Sequence, residues 1–163
     1  MSLVAYRVCK ARYPAFDGTG ASLVGGRWNS PGRPVVYCSD SYAGALLEIL
    51  VHAGQRIKLP GPHHAVEARL PDDIAVEDVQ PDDLPGWDAA DGDASRGFGD
   101  RWLAEGRSVV LRVPAVTAQP FGRNLLVNPA HPDAGRIHVP PPVVIQWDAR
   151  LFASPPNQEL SPR

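Results

Sequence analysis

Glycine and proline interrupt this chain throughout, with 15 glycines and 18 prolines among 163 residues. Both residues break helices, so this composition argues strongly against an all-helical bundle. The length suits a single domain, and hydrophobic residues, at 44%, are sufficient for a buried core. The composition therefore favours short strands joined by shaped loops.

Hydrophobic periodicity predicts mainly strands, with one well-defined helix. The predicted strands cover residues 3–8, 34–38, 65–70, 74–79, 108–113, 124–127 and 143–147. A helix is predicted from Asp40 to Ala53, capped by Ser39 or Asp40, and a short one over residues 100–105. Because strands and helices do not alternate regularly, the predicted fold class is α+β, a single domain over residues 1–153 with a sheet core and few helices. Residues 154–163 are expected to form a disordered tail.

The helix predicted from Asp40 to Ala53 carries apolar residues at helical spacing, which predicts a buried stripe. The stripe consists of Ala43, Leu46, Leu47, Leu50 and Val51. Glu48 lies at its edge, where a carboxylate is costly without a partner. His52, one turn later, would be an ordinary partner, whereas Arg27 or a substrate hydroxyl would make Glu48 a functional residue.

Charge and cysteine content argue against several classes of function. The 16 basic residues are balanced by 18 acidic ones without a dense basic stripe, so direct binding of nucleic acid is not expected. Two cysteines make no disulfide framework, and no two histidines have zinc-site spacing, so no metal is expected. The N-terminus resembles no signal peptide, and no apolar run is long enough for a membrane. A cytoplasmic protein is expected.

A glycine-rich segment, FDGTGASLVGGRWNSPG, lies within a loop predicted over residues 10–33. It lacks the Lys-Ser/Thr pair of a Walker loop, and no predicted helix follows it directly, as a dinucleotide fingerprint would require. Arg27 follows two glycines, so its planar guanidinium could lie beside open backbone and donate paired hydrogen bonds to a diphosphate. The alternative is a surface arginine packed on Trp28.

Tyr37 is a further candidate, since it ends a predicted strand just before the helix. Binding residues often collect at such junctions, and the ring could stack on a flat heterocycle. The alternative is a core tyrosine whose hydroxyl is hydrogen-bonded. Neither a Gly-x-Ser-x-Gly segment nor an activated cysteine indicates a nucleophile.

Four segments, taken in order, resemble one known family. They are YRVCKARYPAFDGTGASLVGGRWNSPGRPVVYCSDSYAGALLEILVHAG, RWLAEGRSVVLRVPAV, NLLVNPAHPD and VIQWDARLF, and they extend over nearly the whole chain. The order GGRWNSPG, VVYCS and LLEILVH is specific in combination. The chain thus resembles the RES-domain proteins, the toxins of RES–Xre type II toxin–antitoxin systems.

This resemblance implies a fold similar to ADP-ribosyltransferase toxins and an activity on NAD⁺, which is a substrate and not a cofactor. The nicotinamide–ribose bond would be cleaved by hydrolysis or phosphorolysis, while some members transfer ADP-ribose to a protein. The implied partner is a helix-turn-helix antitoxin that blocks the active site in a hetero-oligomer.

The family is named for an arginine, a glutamate and a serine. Arg27 and Glu48 match the first two, with Arg27 expected to bind the diphosphate and Glu48 to stabilise a cationic ribose. At the serine position the chain has Ala115, in the segment Val113-Pro114-Ala115. Either the activity is weakened or altered, leaving an NAD-binding module, or a nearby hydroxyl such as Thr117 compensates.

Four further residues complete the expected binding site. Tyr37 is expected to pack on nicotinamide, and Arg7, on the first strand, to make a second phosphate contact. Asn128 and His131 are expected to shape the rim of the site.

Overall fold

A computed structural model describes residues 3–54 and 61–152. The tail predicted at residues 154–163 lies outside the described residues. Within the described part, no helix is both long and apolar enough to cross a membrane.

One mixed sheet forms the centre of the molecule. Its strands are β1 (Val4–Lys10), β2 (Val36–Ser39), β3 (His63–Arg69), β4 (Val76–Asp78), β5 (Val110–Pro114), β6 (Arg123–Val127) and β7 (Val143–Val144). They are arranged in the order β4-β5-β6-β2-β1-β3-β7. Only β4 and β5 run parallel among the described pairs, and the other neighbours are antiparallel.

Helices are few in the described chain: α1 (Thr19–Val24), α2 (Tyr42–Ala53) and α3 (Asp93–Glu105). A mixed sheet with three helices confirms the predicted α+β class. The N-cap of α2 is Ser41, whose hydroxyl accepts a hydrogen bond from the backbone of Gly44, and not Ser39 or Asp40 as predicted.

The sheet is buried on both faces, because alternate residues of its central strands point into different apolar clusters. In β5, Val110 packs in one cluster and Leu111 in the other. In β6, Leu125 and Leu126 divide in the same way. This two-sided burial explains why these strands read as continuous apolar runs.

Three buried tryptophans join α3 to the sheet and to the glycine-rich segment. Trp102 of α3, Trp28 and Trp87 belong to one cluster with Leu111 and Leu126. α3 begins seven residues before the short helix expected at 100–105. Its glycines and aspartates favour a loop locally, so the packing of its buried face supplies the stability that local propensity lacks.

Two other elements differ from the prediction. α1 lies within the predicted loop at 10–33 and buries no side chain, so periodicity gave no signal for it. The stripe predicted on α2 is wrong: of its residues, Leu47 and Val51 are exposed, and Ala45 is the helix's only buried residue. Ala45 lies on a side of α2 that lines a cleft.

Two glycines of α3 predict opposite stability changes on substitution by alanine. A Cβ at Gly99 would overlap the carbonyl oxygen of Trp28, whereas nothing lies within 4 Å of a Cβ at Gly97. Gly97→Ala should therefore stabilise the protein by about 1 kcal/mol through helix propensity. Gly99→Ala should destabilise it, since backbone must move. Urea denaturation of both variants measures the difference, and equal shifts of the same sign would contradict this account of the helix packing.

Candidate active site

A cleft of about 1510 Å³ lies between α2, the glycine-rich segment and the start of α3. The residues lining it include Arg27 and Glu48, which sequence reasoning had paired, together with Arg7 and Tyr37. The two central residues come from different elements: Arg27 from the segment before β2, and Glu48 from α2. The fold therefore brings four of the six proposed site residues to one cavity.

Arg27 is held along one side and open along the other. Its Nη1 donates to the carbonyl oxygens of Trp87 at 3.1 Å and Ala89 at 2.9 Å. Within the described residues, its Nε and Nη2 have no hydrogen-bond acceptor. The guanidinium thus has a fixed position and an unused donor edge, which is the geometry needed to bind an oxyanion with two hydrogen bonds.

The backbone around Arg27 is fixed by Tyr37 and Asn29. The Tyr37 hydroxyl accepts from the backbone N–H of Trp28 at 3.0 Å and donates to Oδ1 of Asn29 at 2.7 Å. Asn29 is fully buried and donates to the carbonyl oxygens of Ala21 and Arg33. Tyr37 therefore has the hydrogen-bonded hydroxyl that was expected if it were a structural tyrosine. Its ring nevertheless lines the cleft.

Gly26 is required by this close packing. A Cβ at this position would lie 2.6 Å from the Tyr37 hydroxyl and 3.0 Å from Asn29 Oδ1. Burial raises the pKa of Tyr37 far above its ordinary value, so the phenol stays protonated and keeps its hydrogen bond to Asn29. The second glycine of the GGRWN segment is thus a packing requirement.

After Arg27 in the chain, the glycine-rich segment is hydrogen-bonded to α3. Asp100 accepts from the backbone N–H of Ser30 at 2.9 Å and from its hydroxyl at 2.5 Å. Ser95, also on α3, donates to the same Trp87 carbonyl that accepts from Arg27. Sequence reasoning missed these contacts, because α3 was expected to be mostly loop.

Glu48 also has one fixed oxygen. Its Oε1 accepts from the Thr117 hydroxyl at 2.8 Å and from Asn124 Nδ2 at 3.1 Å. Its Oε2 lies 4.0 Å from His52 Nδ1 and accepts no hydrogen bond from the described residues. The side chain is 27% exposed, so a ligand in the cleft can reach Oε2. His52 bonds more closely to the backbone carbonyl of Glu48, at 2.7 Å.

Ala115 and Thr117 have different positions in this region. Ala115 is buried and is not among the residues that line the cleft, whereas Thr117 lines it. The cleft therefore has a hydroxyl from Thr117, two residues after the position at which the family motif has serine. Asn124 was missed entirely, since nothing in a strand sequence marks which side chain will meet an acid on a distant helix.

Arg7 connects the two central strands where their pairing ends. β1 and β2 pair only through Tyr6 and Ser39. Arg7 donates from Nη1 to the carbonyl oxygen of Tyr37 at 2.9 Å and from Nε to that of Ala15 at 3.0 Å. Arg7 thus has a structural role that the sequence did not indicate, in addition to lining the cleft.

Asn128 and His131 do not line the cleft. Asn128 follows β6 at the end remote from Asn124, and its Oδ1 accepts from the backbone N–H of Ala130. His131 accepts from the backbone N–H of Asp133. Both stabilise a local turn, so the geometry gives no support to their expected role at the rim.

Neither cysteine has the setting of a nucleophile. Burial raises the pKa of Cys38 to about 12, and burial also raises the pKa of Cys9. Cys38 is buried as expected for a small core residue, whereas Cys9 is only partly buried. Over the described residues, no three histidine, cysteine or acidic side chains cluster closely enough to hold a metal ion.

Comparison with known proteins gives consistent matches along most of the chain. The model of the RES domain matches residues 4–151. A protein of Sphingobium sp. (strain YBL2) named Prs ADP-ribosylating toxin is 44% identical over 128 residues, covering 75% of this chain and 78% of that protein. A protein of Pseudomonas putida named Toxin Res is 35% identical over 133 residues, and the match covers 81% of this chain and 88% of that protein.

A solved structure shares the fold. It is the crystal structure of the M. tuberculosis MbcT–MbcA toxin–antitoxin complex, with a TM-score of 0.74 and 22% identity, covering 93% of this chain and 87% of that chain. The family match spans the sheet, the helices and both sides of the cleft. The chain therefore belongs to the RES-domain family.

Proposed function

We propose that this protein is the toxin of a type II toxin–antitoxin pair and that it consumes NAD⁺ by cleaving the nicotinamide–ribose bond. Membership of the RES family and the toxin names of its relatives support the first part. The observation that carries the second is that Arg27 and Glu48 line one cleft, each with an unused edge. The protein would act in the cytoplasm, where a helix-turn-helix antitoxin would hold it inactive in a hetero-oligomer.

Glu48 would stabilise the charge that develops on the ribose. Cleavage of an N-glycosidic bond passes through an oxocarbenium-like transition state, which a nearby carboxylate stabilises electrostatically. Because Thr117 and Asn124 both donate to Oε1, Oε2 is left for the 2′-hydroxyl or the cationic ring. The electron pair of the broken bond leaves with neutral nicotinamide. Water or phosphate supplies the oxygen that bonds to the ribose, and attack by water releases one proton.

Arg27 and Tyr37 would position the dinucleotide. The free donor edge of Arg27 suits a diphosphate oxygen pair, and each charge-assisted hydrogen bond contributes roughly 1.5–3 kcal/mol. The ring of Tyr37, fixed by its bonded hydroxyl, would pack on nicotinamide and exclude water from one face. Arg7 lines the same cleft and is a second candidate phosphate contact.

A second candidate function is transfer of ADP-ribose to a protein. The name of the Sphingobium relative, an ADP-ribosylating toxin, favours it. The same two residues would serve both reactions, which differ only in the acceptor. Incubating the protein with NAD⁺, with and without phosphate, and identifying the ribose product separates the acceptors.

The alanine at position 115, where the family has serine, would also fit a catalytically weakened protein that only binds NAD⁺. The hydrogen bond from the Thr117 hydroxyl to Glu48 argues against this alternative, because it supplies a hydroxyl to the site.

Glu48→Gln should reduce NAD⁺ turnover by roughly a hundredfold or more, because it removes the charge and keeps the shape. Nicotinamide release is the measurement. Glu105→Gln is the matched control, since Glu105 is exposed and does not line the cleft. If Glu48→Gln is folded and as active as wild type, Glu48 is not catalytic.

Thr117→Val should lower kcat by about tenfold, since Oε1 loses one of its two donors and the carboxylate is less well oriented. Thr117→Ser keeps a hydroxyl and should recover most of the activity. The readout is kcat against KM for NAD⁺, with KM expected to change little. Equal activity of the valine and serine variants would show that this hydrogen bond does not matter for turnover.

Arg27→Lys should weaken NAD⁺ binding by about tenfold, because lysine keeps the charge and lacks the fork. Titration calorimetry measures it, ideally with Glu48→Gln as background so that the ligand is not consumed. Arg69→Lys, an exposed substitution on β3 away from the cleft, serves as control. Unchanged affinity in the lysine variant would rule out a bidentate contact.

A further inference from the structure

A second arginine lies next to Arg27 at one end of the cleft. Arg96, in the first turn of α3, lines the same cavity. Gly92 separates the two guanidiniums: a Cβ at this glycine would lie 3.3 Å from Nη2 of Arg96 and 3.9 Å from Nη1 of Arg27. The two cations therefore flank one residue that has no side chain.

The carboxylates on either side of Gly92 are engaged within the turn, where Asp91, which also lines the cleft, accepts from the backbone N–H of Asp93. Arg96 donates to Asp93 Oδ1 and to the backbone carbonyl of Asp91, both at 2.9 Å. Arg27 donates only to carbonyl oxygens in the described chain. Asp100 is engaged with Ser30. Arg27 and Arg96 are like charges that both approach Gly92, so an anion bound beside them would relieve their repulsion.

The competing explanation is that Arg96 only stabilises the turn at residues 91–93. Its partner Asp93 is 78% exposed, and Arg96 itself is 36% exposed. Ion pairs this exposed contribute little to stability, so the pair is a weak reason for an arginine to lie at the cleft. An exposed pair is also easily exchanged for a contact with a ligand anion.

We propose that Arg96 completes, with the free Nε–Nη2 edge of Arg27, a subsite for the diphosphate of a dinucleotide, one guanidinium for each phosphoryl group. Gly92 has no side chain to occupy the space beside the two guanidiniums. This inference rests on the proposed function, in which the ligand is NAD⁺. Arg96 is then a binding residue that makes the site select for two linked phosphates.

Binding of ADP-ribose, measured by titration calorimetry, tests this directly. Arg96→Gln should weaken ADP-ribose binding at least tenfold, and Arg96→Lys should recover part of it. Arg101→Gln, on the same helix but exposed and outside the cleft, should bind within twofold of wild type. Inorganic pyrophosphate should displace ADP-ribose from wild type and do so less effectively from Arg96→Gln.

Asp93→Asn separates the two explanations. If Arg96 only stabilises the turn, removing its partner should weaken ADP-ribose binding as much as Arg96→Gln does, which would overturn the proposal. If Arg96 binds the diphosphate, Asp93→Asn should leave affinity unchanged or raise it. This variant also keeps the test informative if Arg96→Gln does not fold.

The outcomes for wild type and variant distinguish the two proposals. If wild type binds ADP-ribose and folded Arg96→Gln binds equally well, the role of Arg96 is wrong while the proposed function stands. If wild type binds neither ADP-ribose nor NAD⁺, the proposed function fails and the subsite fails with it.

Discussion

The packing of α3 against the segment that carries Arg27 is the interaction on which the candidate site depends. At Gly99 the helix approaches the Trp28 carbonyl so closely that a side chain has no room. One residue later, Asp100 binds both the backbone and the hydroxyl of Ser30. A loop that contains adjacent glycines has high conformational entropy, and these contacts remove it before any ligand arrives. The position of Arg27 is thus determined by the fold itself, and such preorganisation lowers the entropic cost of binding for any ligand of the cleft.

The acidic side of the cleft has a separate support. Glu48 stands on α2 and is oriented by Thr117, from the turn after β5, and by Asn124 of β6. Neither partner contacts α3 or the glycine-rich segment in the hydrogen bonds described above. The side of the cleft with Arg27 and the side with Glu48 are therefore built by different elements, and the sheet fixes their relative position. A substitution on one side therefore need not disturb the other.

Sequence reasoning succeeded where a pattern reflects a local requirement. Alternating and continuous apolar runs located most strands, and Arg27 and Glu48, the two residues that the family resemblance singled out, line one cavity. It failed where tertiary contacts decide. α3 contains residues with low helix propensity and is stabilised by buried tryptophans that the chain supplies from distant positions. Of the two donors on Glu48, Thr117 was anticipated as a hydroxyl near Ala115, whereas nothing in the local sequence of Asn124 distinguishes it.

The wrong stripe on α2 and the rim role expected of Asn128 and His131, which the geometry does not support, have related causes. Helical spacing of apolar residues does not say which face of a helix meets the core, and α2 leaves Leu47 and Val51 exposed. A dense polar turn such as that at Asn128 and His131 satisfies its own backbone, and the same residue types would suit a ligand. A binding role and a turn role therefore give the same local sequence.

The strand pairing is shortest near the middle of the sheet, where β1 and β2 share a single residue pair. The strands β4, β5, β6 and β2 form one block with continuous ladders, and β3 pairs with β1 along its whole length to form the other. Across the joint, the Arg7 side chain replaces main-chain hydrogen bonds. This one guanidinium therefore couples the strand that carries Tyr37 to the β1–β3 ladder, and its loss would leave the two parts of the sheet joined by a single residue pair.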